Sequence, residues 1–305
     1  MHRAVAIVAA GSLLVAVVTA HGARQQATPY RSRVDLVSLS VNVVDKRGRP
    51  VSSLALEDFQ IFEGGRKQTI EYFAGEGTPA PELHLGLLLD VSESMGEDLA
   101  FTRTAAVRFL NTLTEAADVT LVDFDTEVRA ARYEQREFAR VIERIRSNKA
   151  RGQTALFDAI GVYLDGAGAH EGRKVALCYT DGGDTRSAMR LHDLLELVKA
   201  SDATLYMVGV LDHQSGSSRF DHQSVLRQIA EASGGRAVFP GSVKELDKIY
   251  EQLAAEIRAG YTIGYMSSND KPDGTWRKVD IKLTRPEARE WRVRARAGYF
   301  APYRR

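Results

Sequence analysis

The sequence predicts an α/β fold: a doubly wound, mostly parallel six-stranded sheet with one antiparallel edge strand, inserted in a β-sandwich built by the two ends of the chain together. Three observations predict it. Between residues 84 and 260 short apolar runs alternate with stretches of helical period, the pattern of a parallel sheet covered on both faces. On either side of that region the apolar period falls to two residues, as in half-buried strands. Each flank alone is too short to close a core, so the simplest arrangement pairs them.

Taken in order, residues 1–20 have a basic start at Arg3, an apolar run from Ala4 to Ala20 and small residues around Val18-Thr19-Ala20. This reads as a secretory signal peptide cut after Ala20, so the chain is expected in the periplasm or outside the cell. An uncleaved anchor is the alternative, although a span needs about 20 apolar residues. Residues 21–32 read as a linker. From 33 to 75 VDLVSLSVNVVD alternates apolar with polar residues, and FQIFEGGRKQTIEYFA reads as two strands around Glu63-Gly64-Gly65. A Pro-containing linker covers 76–83.

The middle region, 84–260, opens with the strand LGLLLD and a helix from Glu97 to Ala116 with Phe101, Ala105, Phe109 and Leu113 on one face. VTLVDFD and EVRAARY form a hairpin around Asp125-Thr126. Helices follow at Glu137–Ser147 and Ala155–Gly166, then the buried strand RKVALCYT. Leu191–Ser201 is helical, ATLYMVGV a further buried strand, Ser224–Ser233 a helix, GRAVFP the last strand and Val243–Arg258 the last helix. Residues 261–303 return to the strand period as YTIGYMS, RKVDIKLT and EWRVRARAGYF, with a hairpin signal at Asp273-Gly274.

Composition sets limits on partners. The chain has 305 residues, 44% hydrophobic and 27% charged, so it can bury a sizeable core. Removing Arg3 with the leader takes 41 basic residues to 40, against 40 acidic. A neutral balance gives no argument for nucleic acid or an anionic membrane as main partner. The single cysteine, Cys178, lies in the apolar run VALCYT, so an exported chain must be held by its core and not by an internal disulfide.

The functional signal sits at strand ends. HLGLLLDVSESMGEDL finishes an apolar strand with Asp90, Ser92 and Ser94; RGQTALFDAI places Thr154 just before a helix; VALCYTDGGDT places Asp181 at the tip of a buried strand. Open α/β sheets bind ligands at the carboxyl ends of their strands, where the winding reverses. Two carboxylates and three hydroxyls with no His or Cys suit a hard divalent cation, Mg²⁺ first and Mn²⁺ or Ca²⁺ as substitutes. Taken singly, each residue has a plainer role: Asp90 and Ser92 as helix caps, Thr154 as an N-cap, TDGGD as a turn.

DVSES, Thr154 and TDG together resemble the metal-ion-dependent adhesion site of von Willebrand factor type A domains, and all five positions match. The flanks VDLVSLSVNVVDKRGRPVSSLALEDFQIFEGGRKQTIEYF and VRARAGYFAP are similar to a group of exported bacterial proteins related to that domain. The resemblance implies that Ser92 and Ser94 hold the metal directly. Thr154 binds it directly or through water, and Asp90 and Asp181 balance its charge mostly through waters. It implies a partner protein whose Asp or Glu carboxylate fills the open position, and a last helix that shifts in some relatives.

Other features are weaker. DHQS occurs at Asp212–Ser215 and at Asp221–Ser224, which reads as a capped helix start with solvated histidines rather than a second metal site; His213 could help select a ligand. Arg292, Arg294 and Arg296 read as the wet face of an edge strand, with a surface for acidic polymers as the alternative. Asp184 is either a second-sphere water holder or a turn residue. The expected function is a non-enzymatic, metal-dependent binding module, with a scaffold whose metal site is unused as the alternative. A metal-dependent hydrolase is the third reading, but neither GxSxG nor HExxH occurs and no His lies in the three metal loops.

Overall fold

The computed structural model describes residues 36–303 apart from 212, 213, 215 and 242. The expected leader, the 21–32 linker and His213 lie outside the described residues. Ahead of the middle region come β1 (Leu36–Val44), β2 (Phe59–Glu63), β3 (Arg66–Gln68) and β4 (Ile70–Ala74). The middle contains β5 (Leu83–Asp90), α1 (Leu99–Thr112), β6 (Asp118–Phe124), β7 (Val128–Glu134), α2 (Phe138–Ser147) and α3 (Leu156–Gly168). It continues with β8 (Arg173–Thr180), α4 (Leu191–Ala200), β9 (Thr204–Gly209), α5 (Gly216–Ala232), β10 (Arg236–Val238) and α6 (Val243–Ala259). β11 (Tyr261–Met266), β12 (Trp276–Leu283), β13 (Arg292–Arg294) and β14 (Gly298–Phe300) follow.

The six-stranded sheet has the order β10-β9-β8-β5-β6-β7, parallel except for β7, which runs antiparallel to β6. Every residue of β5 is buried because helices cover both faces. Leu85, Leu87 and Leu89 point into the layer made with α1, α2 and α6, through residues such as Phe109, Ile145 and Leu253. Leu88 points into the layer of α3, α4 and α5, with Ile160, Val198 and Ile229. Gly86 lies on this second face, where a Cβ would run into the Tyr163 ring. The sequence winds one way from β5 to β6 and the other way through β8, β9 and β10, so the switch point falls at the carboxyl ends of β5 and β8.

The flanks form two antiparallel sheets, β13-β1-β11-β4 and β14-β12-β2-β3, each drawing strands from both ends of the chain. They share one core, with Leu39 and Val41 of β1 and Tyr261 and Ile263 of β11 meeting Phe59 and Ile61 of β2 and Val279 of β12.

Four sequence expectations change here. The segment read as two strands around Glu63-Gly64-Gly65 is three, because the chain leaves one sheet for the other between β3 and β4. The Gln68 amide substitutes for backbone pairing at that crossing, accepting the Ser268 N–H at 2.9 Å and donating to Ser268 Oγ at 3.0 Å. Asp273-Gly274 is likewise a crossing between sheets and not a hairpin, since β11 and β12 lie in different sheets. EWRVRARAGYF divides into β13 and β14 for the same reason. A period of two persists through a change of sheet, so the pattern does not reveal it. Finally, α5 begins at Gly216, eight residues before the expected start; its added first turn, Gly216–Ser218, is exposed and carries no apolar period that could reveal it.

The arginine stripe is also corrected. Only Arg292 is an exposed residue of the three. Arg294 pairs with Glu256 of α6 at 2.8 Å, and Arg296 donates to the carbonyls of Ser201 and Ser38 at 3.1 and 2.8 Å. The buried Glu256 and the carbonyls of Ser38 and Ser201 draw two of the three side chains inward.

Candidate metal centre

β5 delivers Asp90 to the rim fully buried, with Ser92 buried just above it and Ser94 exposed beyond. Asp90 Oδ1 accepts the Ser92 N–H at 3.0 Å and the Ser92 hydroxyl at 2.5 Å, and Ser92 Oγ lies 3.1 Å from Ser94 Oγ. The other oxygen, Oδ2, accepts the Thr180 hydroxyl at 2.6 Å, and Thr180 Oγ1 in turn accepts the Gly182 N–H at 3.0 Å. Thr180 thus ties the end of β8, and with it Asp181, to Asp90. Its role escaped the sequence reading, since a Thr that ends an apolar strand looks like one more strand residue.

The Thr154 loop is laced to both neighbours. Glu93 donates its N–H to Gly152 O at 3.0 Å, and Arg151 donates to Val91 O at 2.9 Å. Thr154 is buried; its N–H donates to Thr185 Oγ1 at 3.0 Å, and its carbonyl accepts the N–H groups of Thr185 and Arg186 at 2.9 and 3.0 Å. Among the described residues its hydroxyl enters no hydrogen bond. Asp184 accepts the Phe157 N–H at 2.9 Å and the Ser187 hydroxyl at 2.6 Å, so it caps α3 from the neighbouring loop. That places Asp184 as a turn and capping residue.

The Asp181 carbonyl accepts the Gln214 side-chain amide at 3.0 Å and lies 3.0 Å from His222 Nδ1. His222 is half-buried against Gly182 and Gly183. The expectation of a solvated histidine is therefore corrected, as is the capping role given to Asp221 and Ser224, which lie inside α5. The second DHQS copy was the available signal, but with α5 started too late its first half looked like loop.

Electrostatics single out this rim. Burial pushes the Asp90 carboxyl up to about 7, and the negative charge of Asp181 adds to the rise although Ser92 and Thr180 oppose it. Among the described residues neither Asp90 nor Asp181 has a Lys, Arg or His in ion-pair range. A buried carboxylate with a second carboxylate beside it and hydroxyl oxygens above it lacks only positive charge. The donor set, all oxygen, fits a hard divalent ion. Bound there, such an ion would supply an electrophilic position to an incoming oxygen ligand.

A doubly wound, mostly parallel sheet with oxygen-bearing side chains at its switch point defines the α/β class of this region. The family model for the von Willebrand factor type A domain matches residues 84–252, more than half of the chain, and the chain belongs to that family. No curated protein matches the chain. Among solved structures it is similar to the von Willebrand factor type A protein from Catenulispora acidiphila, at 13% identity and TM-score 0.50, over 90% of this chain and 75% of that one. It is also similar to the PilB minor pilin from Streptococcus sanguinis, at 11% identity and TM-score 0.48, over 60% of this chain. The match spans 62% of the length of PilB, less than two thirds. A third similarity is to BatB from Bacteroides thetaiotaomicron, at 16% identity and TM-score 0.47, covering 58% of this chain and 99% of that one. Among the described residues no helix is long and apolar enough to cross a membrane.

Proposed function

We propose that this chain is an exported, non-enzymatic binding module in which Asp90, Ser92, Ser94, Thr154 and Asp181 hold Mg²⁺, or Mn²⁺ or Ca²⁺ in its place, and the metal receives an Asp or Glu carboxylate of a partner protein. One observation carries the reading: the fully buried Asp90 carboxylate, bonded to Ser92 and Thr180 and facing Asp181, has no cationic side chain in range among the described residues. Membership of the family supports a binding role over a catalytic one. Residues 1–20 support export by their sequence alone.

Thermal melting tests the site. At a hundredfold excess over Kd, Mg²⁺ or Mn²⁺ is expected to stabilise the wild-type chain by about 2.7 kcal/mol and to leave Asp90→Ala unmoved. Equal shifts in both proteins would remove the metal from these residues. A pull-down from envelope extract then tests the partner: capture should vanish with EDTA and with Ser92→Ala. Metal-dependent melting without metal-dependent capture would mark a scaffold, and Mg²⁺-dependent ester or phosphate cleavage lost in Asp181→Ala would mark a hydrolase.

A further inference from the structure

Apart from the metal loops, a cleft of about 880 Å³ lies between the flank sheets and the six-stranded sheet. Residues of β13 line one side and the segment from Gly234 into β10 lines another, with the turn at 45–48 also contributing. Both strands end their sheets, so each has one edge without a strand partner. Arg292, Val293, Arg294 and Ala295 all line the cleft, and so do Gly234, Gly235, Arg236 and Ala237. Side chains of a pleated strand alternate between faces, so consecutive residues share one space when the strand edge looks into it.

At β13 the pairing identifies the open groups. Val43 of β1 stands opposite Val293, and its carbonyl accepts the Val51 N–H at 2.9 Å on the side away from β13. The Val43–Val293 pair is therefore of the non-hydrogen-bonded kind, and the N–H and C=O of Val293 point outward. Among the described residues no group bonds to them.

Charge gives the second observation. Arg47, Arg227, Arg289 and Arg292 line the cleft, are exposed, and have no carboxylate in ion-pair range among the described residues. The acids nearby are already engaged: Asp45 by Arg49, Glu290 by Lys46, and Glu256 by Arg236 and Arg294. Glu231 is the one lining acid without such a partner among the described residues.

We propose that this cleft binds an extended acidic peptide segment of a partner protein, which adds as a short strand to the open edge at Val293 and sets its carboxylates against these four arginines. An edge strand offers main-chain hydrogen bonds at the spacing of another peptide, and guanidinium groups match carboxylates geometrically. An acidic glycan would satisfy the arginines but not the edge. The first 35 residues of this chain carry four arginines and one acidic residue, the wrong charge for the occupant. None of the five proposed metal donors lines the cleft, so the inference stands apart from the metal site.

The test is fluorescence anisotropy of a labelled peptide of alternating Glu and Thr titrated with the full chain. Saturable binding should survive EDTA, weaken on the order of tenfold in Arg292→Glu and in Arg47→Glu, and be lost when alternate peptide nitrogens are methylated. Circular dichroism checks that the variants fold, and Arg289→Glu, on an exposed turn, serves if Arg292→Glu does not. Unchanged affinity in the folded reversals would overturn the proposal, as would equal binding of the methylated peptide. So would polygalacturonate that binds while the peptide does not.

Discussion

Asp90 and Asp125 stand at the ends of neighbouring strands, β5 and β6, and both are buried, yet their surroundings drive them in opposite directions. Burial opposes the charge on Asp125 too. There Arg129 at 2.8 Å, the Glu127 N–H at 2.9 Å and Arg151 at 2.9 Å outweigh it and hold the carboxyl down at about 2. A depressed carboxylate stabilises the fold above its ordinary pKa of 3.8, and that contribution drains away as pH falls toward 2. Urea midpoints of wild type and Asp125→Asn should therefore differ most above about pH 4 and converge toward pH 2; a gap that stays constant over that window would show that Asp125 acts through packing alone. The position of Asp90, Ser92 and Ser94 at a strand end was legible because their alternation breaks an apolar run at its end. Thr180 and His222 were not, because the partners that give them their roles are distant in sequence or reached only through backbone atoms, and of Asp184 the turn was legible but not its cap on α3.

Among the helices, α6 shows how an element is fixed from outside its own layer. Its apolar face, with Leu246, Leu253 and Ile257, seals the core beside β5. On another side Glu256 is buried and accepts the Tyr206 hydroxyl at 2.9 Å, Arg236 at 3.1 Å and Arg294 at 2.8 Å. Arg294 comes from β13 and Arg236 from β10, so one carboxylate joins the last helix to both sheet edges. Truncating it strands two guanidinium groups in poor solvent, and Glu256→Ala should lose about 3–5 kcal/mol in urea unfolding. Adding Arg294→Met should recover part of that loss; a double variant no better than the single one would mean the pair is not coupled. The helical period placed α6 within a residue of its observed end, and β5, β6, β8 and β9 were equally plain as apolar runs bounded by turns. The strand breaks in the flanks were hidden, since the deciding contacts are tertiary and leave the local period intact, and the start of α5 was hidden because Gly216–Ser218 are exposed and show no apolar period.

At the scale of the whole molecule, the flanks hold each other. β1 hydrogen-bonds to β11 along Leu36–Val41 and to β13 along Asn42–Val44, and β2 pairs with β12 along its whole length. Every strand that covers β1 comes from beyond residue 260, so the first flank has no sheet of its own around its longest strand. The junction is tight: at Gly260 a Cβ would lie 2.7 Å from Asn42 Oδ1 and 2.8 Å from an Arg173 nitrogen, so α6 passes into β11 against residues of both regions. A chain ending at residue 260 should keep the six-stranded sheet, whose two cores come from β5–β10 and their helices. It should lose order in residues 36–74, because Leu39 and Val41, fully buried in the intact chain, would face water on an open strand. Limited proteolysis read by mass spectrometry should then cut ahead of Leu83 in the truncated chain and spare that region in the full one. It should also soften α6, which loses Arg294. Protection of β1 after truncation would show that the first flank folds alone, and the reading of two interleaved flank sheets as one cooperative unit would fail.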